Sequence, residues 1–394
     1  MIAATLSMVA APPDKSPSPE AKAAINQTGR PSPTLTIKDD KGRELDLLSL
    51  EAYRAEFQYL RRKFRELDLT GAPVRTDGWK DNIPEAEWPF MGFSYFGYAC
   101  ANLARSDQAL CDEALAETRW LLEALQTPRL TGFIADHFGE PFTTNRTATS
   151  AFVHGHFLNL TLRYREVSGD QRYDGLIQRV AQALFEAYTK SDQAILKSYT
   201  NMWWVTDNCP ALSALARYDR QFNRDTSSGR RRFVESLKAH YLDSQTGMLC
   251  TYVDPAPRRS LQGPRGVSQM YGLHFLKDID PEFAAGQYAL ARRHLFRPVL
   301  GLLAVREFPE GVPETADVDS GPVVLGLGPS ASGFGIAAAA INGDTQSAWQ
   351  LAKAATIVGA PEFNDGELRY ALMPAVGQAV ILFGKTLLTR SAAP

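Results

Sequence analysis

No run of eighteen or more apolar residues occurs in this 394-residue chain, so no segment reads as a membrane-spanning helix. Metal motifs are missing too: there is no HExxH, no CxxC, no His/Cys cluster and no Asp-rich calcium loop. The four cysteines, Cys100, Cys111, Cys209 and Cys250, are too scattered for a zinc finger and read as small buried hydrophobes, with a disulfide left open. No Lys/Arg stripe interleaves with aromatics, and net charge is −2 with a pI near 6.3, which leaves nucleic-acid binding unsupported. The basic runs Arg61-Arg62-Lys63 and Arg230-Arg231-Arg232 fall in helical patterns and read as solvated faces. The segment Gly326–Gly335 is neither GxGxxG, nor a Walker loop, nor a GxSxG elbow. Its small residues predict close packing of two helices instead.

Strand-like alternation is also scarce, and helical periodicity fills the space. Residues 1–35, rich in Pro, Ser and Ala, read as a flexible lead-in, and 36–394 as a single domain. Met1 to Pro13 are mildly apolar without a basic n-region. They read as a tail, the alternative being the remnant of a longer signal- or membrane-associated precursor, so the compartment stays open. Helices are expected near 49–67, 88–104, 108–126, 148–167, 171–189, 208–222, 229–243, 266–277, 281–298, 322–340, 344–357 and 370–389. Amphipathic segments such as the one carrying Phe57, Leu60 and Phe64 alternate with segments apolar nearly all round, such as the one carrying Tyr95, Tyr98 and Leu103. Six antiparallel pairs of this kind predict an all-α, two-layer (α/α)6 toroid of about twelve helices, the more apolar helix of each pair lining the inner ring. The linkers Gly71–Pro84, Thr127–Pro141, Asp254–Pro264 and Phe308–Asp319 exceed simple turns and would build a site at one mouth.

Three stretches place acid–base groups among large aromatics: Asn201–Asn208, His154-Gly155-His156 and Asp317-Val318-Asp319-Ser320. Asp207 precedes the helix from Asn208, so it is either a cap or an acid–base carboxyl whose proton affinity the apolar Trp203 and Trp204 raise. Asp317 and Asp319 are solvated loop acids, or caps of the next helix, or a carboxyl pair whose repulsion splits their proton affinities. His154 and His156 lie about 200° apart on a helix, so at most one faces the ring interior. Tyr95, Tyr98 and Tyr271 join the tryptophans, Asn201 and Asp317 as candidate substrate contacts. Asp207, Asp319 and His156 are the candidate catalytic groups.

The order of Gly155–Leu160, Ser168–Tyr173, the Trp203–Arg220 segment, Asp280-Pro281-Glu282-Phe283, Val305-Arg306-Glu307 and Asp317–Gly321 resembles the linalool dehydratase-isomerase family over roughly residues 90–385. The resemblance implies an (α/α)6 toroid with a central pocket, dehydration and isomerisation of monoterpene alcohols without metal or organic cofactor, and a homo-oligomer. His156 matches the family's active-site histidine. The family's two active-site cysteines fall on Ser198 and Asp207, and its second-helix tyrosine near Met91, so thiol chemistry is not carried over. Asp68 and Asp77 are candidates for its N-terminal acid. The reading is therefore a lyase or isomerase, or a cyclase, using Asp207 as acid with Asp319 or His156 as partner on an isoprenoid alcohol or similar small apolar substrate. The alternatives are a glycoside hydrolase or sugar-active lyase with Asp207 and Asp319 as its carboxyl pair, by analogy with other toroids, and a scaffold in which both acids merely cap.

Overall fold

The computed structural model describes residues 35–71, 83–138, 149–199, 202–312 and 319–389. The first 34 residues of the expected lead-in lie outside that set, as do Asp77, Asn201 and Asp317. Six helices form the inner layer: α2 (Ile83–Ser106), α5 (Ala151–Ser168), α7 (Asn208–Phe222), α9 (Gly266–Ile279), α11 (Pro329–Ile341) and α13 (Ala375–Leu388). Each packs on the next, and α13 returns to α2, which closes the ring. Six others form the outer layer: α1 (Leu50–Arg65), α3 (Cys111–Ala124), α6 (Asp174–Lys190), α8 (Ser227–His240), α10 (Pro281–Leu295) and α12 (Thr345–Val358). The protein is an (α/α)6 toroid.

The two layers differ as the sequence pattern requires. Outer α1 buries Phe57, Leu60 and Phe64 on one stripe and exposes Glu51, Arg62 and Lys63 on the other. Inner α5 is buried at every position from Ala151 to Tyr164. Local chemistry sets the ends: Ser49, Ser150, Asp280 and Asp344 cap α1, α5, α10 and α12 through their side chains, and Gly169 in the left-handed region stops α5.

The connections are unequal in a regular way. From an inner helix to the next outer one the chain needs few residues, from Asp280 alone to the five at 169–173. From outer to inner it spends between 16 (359–374) and 33 (296–328). All the long connections therefore gather at one mouth, where the inner helices begin. Two expectations need correction there. Residues 128–138, expected as loop, form helix α4 (Pro128–Phe138). Strand content was under-read: hairpins β4–β5 (Tyr252–Asp254, Arg259–Gln262), β6–β7 (Phe296–Val299, Leu302–Val305) and β8–β9 (Pro361–Asn364, Glu367–Tyr370) are folded from the long connections. A two-residue strand β3 (Trp203–Trp204) adds to β4, and β1–β2 (Thr36–Lys38, Glu44–Asp46) precede α1. Strands this short show no readable alternation. The helix expected from 322 begins only at Pro329, because Leu325 and Gly326 both take positive φ in a turn bridged between Val324 and Leu327.

Glycine sets the spacing of the inner ring. A Cβ on Gly155 would lie 2.6 Å from the Ala211 backbone nitrogen, and one on Gly384 would lie 2.8 Å from Ile336 Cβ. In the small-residue segment a Cβ on Gly333 would meet Ile381 and Val380 of α13 only at ordinary contact distances, whereas one on Gly335 would lie 3.1 Å from Leu351 of α12 and 3.2 Å from Val305 of β7. Because the obstacle at Gly155 is backbone, Gly155→Ala is expected to destabilise the fold by about 1–3 kcal/mol or more through overpacking. Chemical denaturation measures this, and an unchanged midpoint would contradict so tight an α5–α7 contact.

Candidate active site

The connection from α6 to α7 (191–207) is shaped by one side chain, Asn208. Its Oδ1 accepts from the Leu196 N–H at 2.8 Å and the Tyr188 hydroxyl at 2.9 Å, and its Nδ2 donates to the Trp204 carbonyl at 3.0 Å. The loop is thereby fastened to the first residue of α7. Within it, the fully buried Ser198 takes a hydrogen bond on its hydroxyl from the Trp204 N–H, 3.3 Å.

Asp207 occupies the cap position of α7, yet its backbone is helical and its carboxyl makes no capping bond. Capping does not account for it. The residue is only 8% exposed, and burial, together with the charge of Asp319, pushes its carboxyl up to about 7, with the Ser198 hydroxyl working against the shift. Asp319 does not cap α11 either, since that cap position belongs to Gly328. A third carboxyl completes the group. Glu87, in the opening turns of α2 and also 8% exposed, is driven well above the usual carboxylate range by burial and then by Asp319 and Asp207. Tyr199 sits among all three, its hydroxyl pushed up by burial and by the charges of Glu87, Asp207 and Asp319. Burial and the mutual charges raise both Glu87 and Asp207, so these two carboxyls hold their protons more tightly than an ordinary carboxylate does. The N-termini of the inner helices end at this mouth, and their dipoles favour what negative charge remains.

Below the carboxyls a plug of rings fills the ring axis. His156 bonds the Tyr271 hydroxyl through Nε2 at 2.7 Å and the Tyr98 hydroxyl through Nδ1 at 2.9 Å. Tyr95 bonds His274 Nε2 at 3.0 Å, while His274 Nδ1 lies 3.4 Å from the Met270 carbonyl. A carbonyl only accepts, so His274 carries its proton on Nδ1 and Nε2 accepts from Tyr95. Burial holds both imidazoles neutral, His274 at about 3 and His156 well below its ordinary value. Phe334 and Phe383 close against Tyr95 at ring distances of 5.4 and 5.6 Å. Tyr271 joins the two layers, because the charge of Asp207 is the strongest acting on its buried hydroxyl.

The structure therefore brings together Asp207, Asp319, Tyr271 and, through Tyr271, His156. Tyr95 and Tyr98 are wholly buried behind that histidine, with their hydroxyls engaged. Trp203 and Trp204 are half-buried at the mouth, Trp203 beneath Lys197 Nζ at 5.1 Å and Trp204 against Tyr252 at 5.6 Å. His154 turns away from the axis to the Ser150 backbone. Asp68 is exposed and bonded to Thr70, while Met91 is buried core. Cys209 is buried, its thiol pushed up beside Asp207, and all four cysteines are free. Sequence reasoning missed Glu87 and Tyr199; both stand beside long connections, and the acid in the first turns of α2 was the one available signal. Among the described residues, no three His, Cys, Asp or Glu side chains are placed to hold one metal ion. Nor is any helix there long and apolar enough to cross a membrane.

Known proteins give this geometry a context. No curated protein sequence matches the chain. Among solved structures, an α-1,6-mannanase of Salegentibacter sp. HEL1_6 superposes with a TM-score of 0.54 at 11% identity, covering 86% of this chain and 99% of the mannanase. An unsaturated glucuronyl hydrolase specific for heparin gives 0.56 at 15%, covering 88% and 97%. An α-mannanase of Bacteroides thetaiotaomicron gives 0.52 at 9%, covering 88% and 98%. At such identities these likenesses speak for the toroid alone. The sequence profile of the linalool dehydratase/isomerase family, by contrast, matches residues 153–375, which include His156, Ser198, Asp207, Tyr271 and Asp319. With more than half its length matched, the chain belongs to the linalool dehydratase/isomerase family.

Proposed function

We propose that the chain is an acid–base lyase or isomerase acting on an isoprenoid alcohol or a similarly apolar alcohol at the mouth of the toroid. The observation that carries this reading is Asp207: a buried carboxyl that caps nothing and titrates at about 7. A group with that affinity can both give and take a proton at neutral pH. Protonated Asp207 donates to the substrate hydroxyl, the C–O bond breaks, and water departs. The allylic cation left behind is shielded by the rings of Trp203, Trp204 and Tyr271. Asp319, as carboxylate, removes a proton from the adjacent carbon, and the C–H electron pair becomes the new double bond. Return of water at another carbon, its extra proton passing back to the Asp207 carboxylate, gives isomerisation instead. Glu87 keeps a proton in the cluster, and His156 orients Tyr271 from below. Family membership supports the reaction class. The closely packed rings beneath the carboxyls support an apolar substrate over a sugar, which would call for many polar side chains.

Dehydration should be fastest below pH 7 and fall about ten-fold per unit above it, as Asp207 loses the proton it must donate. The experiment is an incubation of the folded protein with linear isoprenoid alcohols, their diphosphates and aryl glycosides, followed by mass spectrometry across pH 5–9. Conversion of an alcohol with that profile supports the reading. Glycoside cleavage with no alcohol conversion overturns it.

A further inference from the structure

We propose that Tyr98 is a positioning residue that fixes His156 in the tautomer protonated on Nδ1, and so presents the Tyr271 oxygen to the site as a hydrogen-bond acceptor selecting a substrate with a free hydroxyl. The selection rests on the reading of the mouth as an alcohol site, and the tautomer does not. The argument is a count of hydrogens. His156 is wholly buried and its two ring nitrogens meet hydroxyls, not carboxylates, so the imidazole is neutral and carries one hydrogen. The hydroxyls of Tyr98 and Tyr271 add one each to the same chain of contacts. Tyr98 Oη lies 2.9 Å from Nδ1 and 3.2 Å from the His156 carbonyl, and Tyr271 Oη lies 2.7 Å from Nε2.

Two arrangements are open to these hydrogens. In the first, Nδ1–H donates to the Tyr98 oxygen, Tyr98 donates onward to the His156 carbonyl, and Tyr271 donates to the bare Nε2. A carbonyl oxygen has two acceptor positions, so the helix bond it receives leaves one for Tyr98. In the second, Tyr98 donates to Nδ1, Nε2–H donates to the Tyr271 oxygen, and the Tyr271 hydrogen is left without a partner among the described residues. Tyr271 is only 5% exposed, and a buried hydroxyl hydrogen left unpaired is costly. The first arrangement pairs every hydrogen and is the resting one. What permits it is the second contact of Tyr98, to the carbonyl. His274 repeats the pattern with a different partner, its Nδ1–H directed at the Met270 carbonyl and its Nε2 accepting from Tyr95.

Packing keeps these atoms in register. Phe152 meets the His156 ring edge-on at 4.9 Å, and the Arg163 guanidinium lies 4.9 Å over the Tyr98 ring, so neither ring is free to turn away. Tyr271 is placed by its own helix. Ser268, Tyr271 and Gly272 share one face of α9. Ser268 bonds the Thr206 hydroxyl at 2.9 Å, and a Cβ on Gly272 would lie 2.7 Å from the Thr206 methyl and 3.6 Å from the Cys209 sulfur. That face therefore packs on the residues flanking Asp207. With its hydrogen turned down to His156, Tyr271 offers only lone pairs to whatever stands beside that carboxyl. A substrate hydroxyl donates to them and keeps its own lone pair for the Asp207 proton. An ether or an ester has no hydrogen to offer, and lone pair meets lone pair.

The test reads the tautomer in the resting protein, by nitrogen NMR of isotope-labelled histidine, where protonated and bare ring nitrogens resonate far apart. The His156 signals are those that move in Tyr271→Phe, which takes the hydroxyl from Nε2. Wild type should carry the hydrogen on Nδ1. Tyr98→Phe removes the acceptor for that hydrogen, which should move to Nε2, where Tyr271 accepts it. Tyr271→Phe keeps Tyr98 and should leave the hydrogen on Nδ1, and these spectra decide the tautomer even if Tyr98→Phe folds poorly. Titrating a linear isoprenoid alcohol and its methyl ether into the same samples reads the selection. Wild type should bind the alcohol about ten-fold more tightly than the ether. In Tyr98→Phe, where Tyr271 gains a hydrogen to donate, the gap should close to about three-fold or less. A hydrogen on Nε2 in wild type, or one that stays on Nδ1 in Tyr98→Phe, overturns the inference and leaves the lyase reading untouched. Equal binding of alcohol and ether overturns the selection. The expected tautomer in a protein that binds neither counts against the alcohol reading and not against the role of Tyr98.

Discussion

Asp207→Asn is expected to lower turnover of the alcohol substrate by about 10²–10⁴-fold while making the protein more stable above neutral pH. The two effects share one cause. Burial raises the Asp207 carboxyl from an ordinary value of 3.8 to about 7, so the folded protein binds that proton more tightly than the unfolded chain does. A group with a raised folded-state value contributes its stability in full below pH 4. That contribution fades as pH rises, and is gone above about 7. A shift of about three units corresponds to about 4 kcal/mol between those limits, as an order of magnitude. Asparagine cannot ionise, so the variant escapes this loss. Denaturation at pH 4.5 and pH 8 should show the variant gaining on wild type by a few kcal/mol at the higher pH. A structural aspartate would behave in the opposite way: its removal would destabilise the fold and leave the alkaline limb of activity in place. Loss of activity combined with loss of stability at pH 8 would count against the proton-transfer role.

The second large effect concerns the contact between the last inner helix and the first outer one. Lys385 on α13 is completely buried and bonds Glu56 Oε1 of α1 at 2.6 Å, with the Tyr370 hydroxyl of β9 donating to the same oxygen at 2.8 Å. Glu56 Oε2 is buried with no hydrogen-bond partner among the described residues. Burial pulls the lysine below its ordinary value and Glu56 pushes it back, so the pair persists because each charge answers the other. Lys385→Met removes one half and strands a carboxylate in the core. The expected cost is about 3–5 kcal/mol. Replacing both partners, Glu56→Leu with Lys385→Met, should recover most of it, because no unpaired charge then remains. The double-mutant cycle in denaturant decides the matter. If the double variant is as unstable as the sum of the singles, the pair is not the interaction that holds α1 against α13.

The ring was legible in the sequence to the extent that helices declare their own faces. Asn208 to Phe222 was expected at the bounds the structure shows, because Asp207-Asn208 and the pattern of Ala211, Leu212, Leu215 and Tyr218 mark both the start and the buried side. Several of the motifs that revealed the family also have plain structural work. Gly169 ends α5, Asp280 caps α10 and Glu307 receives the buried Arg265 at 2.9 Å. Asp207 and Asp319 drew notice because carboxyls beside apolar segments are expensive. Whether each was a cap could be decided only by the backbone angles and by where the next helix begins. Glu87 was hidden for the opposite reason: Pro84-Glu85-Ala86-Glu87 reads as an ordinary acidic helix start, and only closure of the ring sets it opposite residues more than a hundred positions away. The tyrosine–histidine pairs were equally out of reach, since Tyr98 and His156 lie on different helices and meet only in the assembled core.

The unequal connections carry a consequence for how such proteins diversify. Every turn from an inner helix outward is short, and two of them, at Asp280 and Asp344, are capped, so an insertion there would disturb the stacking of the hairpins themselves. The opposite face absorbs length freely: a whole β-hairpin, or an extra helix such as α4, occupies a single connection without shifting the register of the helices behind it. Lineages can therefore rewrite one face residue by residue and loop by loop while the other is inherited almost as hardware. Chains as little as 9% identical can share this ring, whose long connections can change in length and sequence without moving the helices behind them.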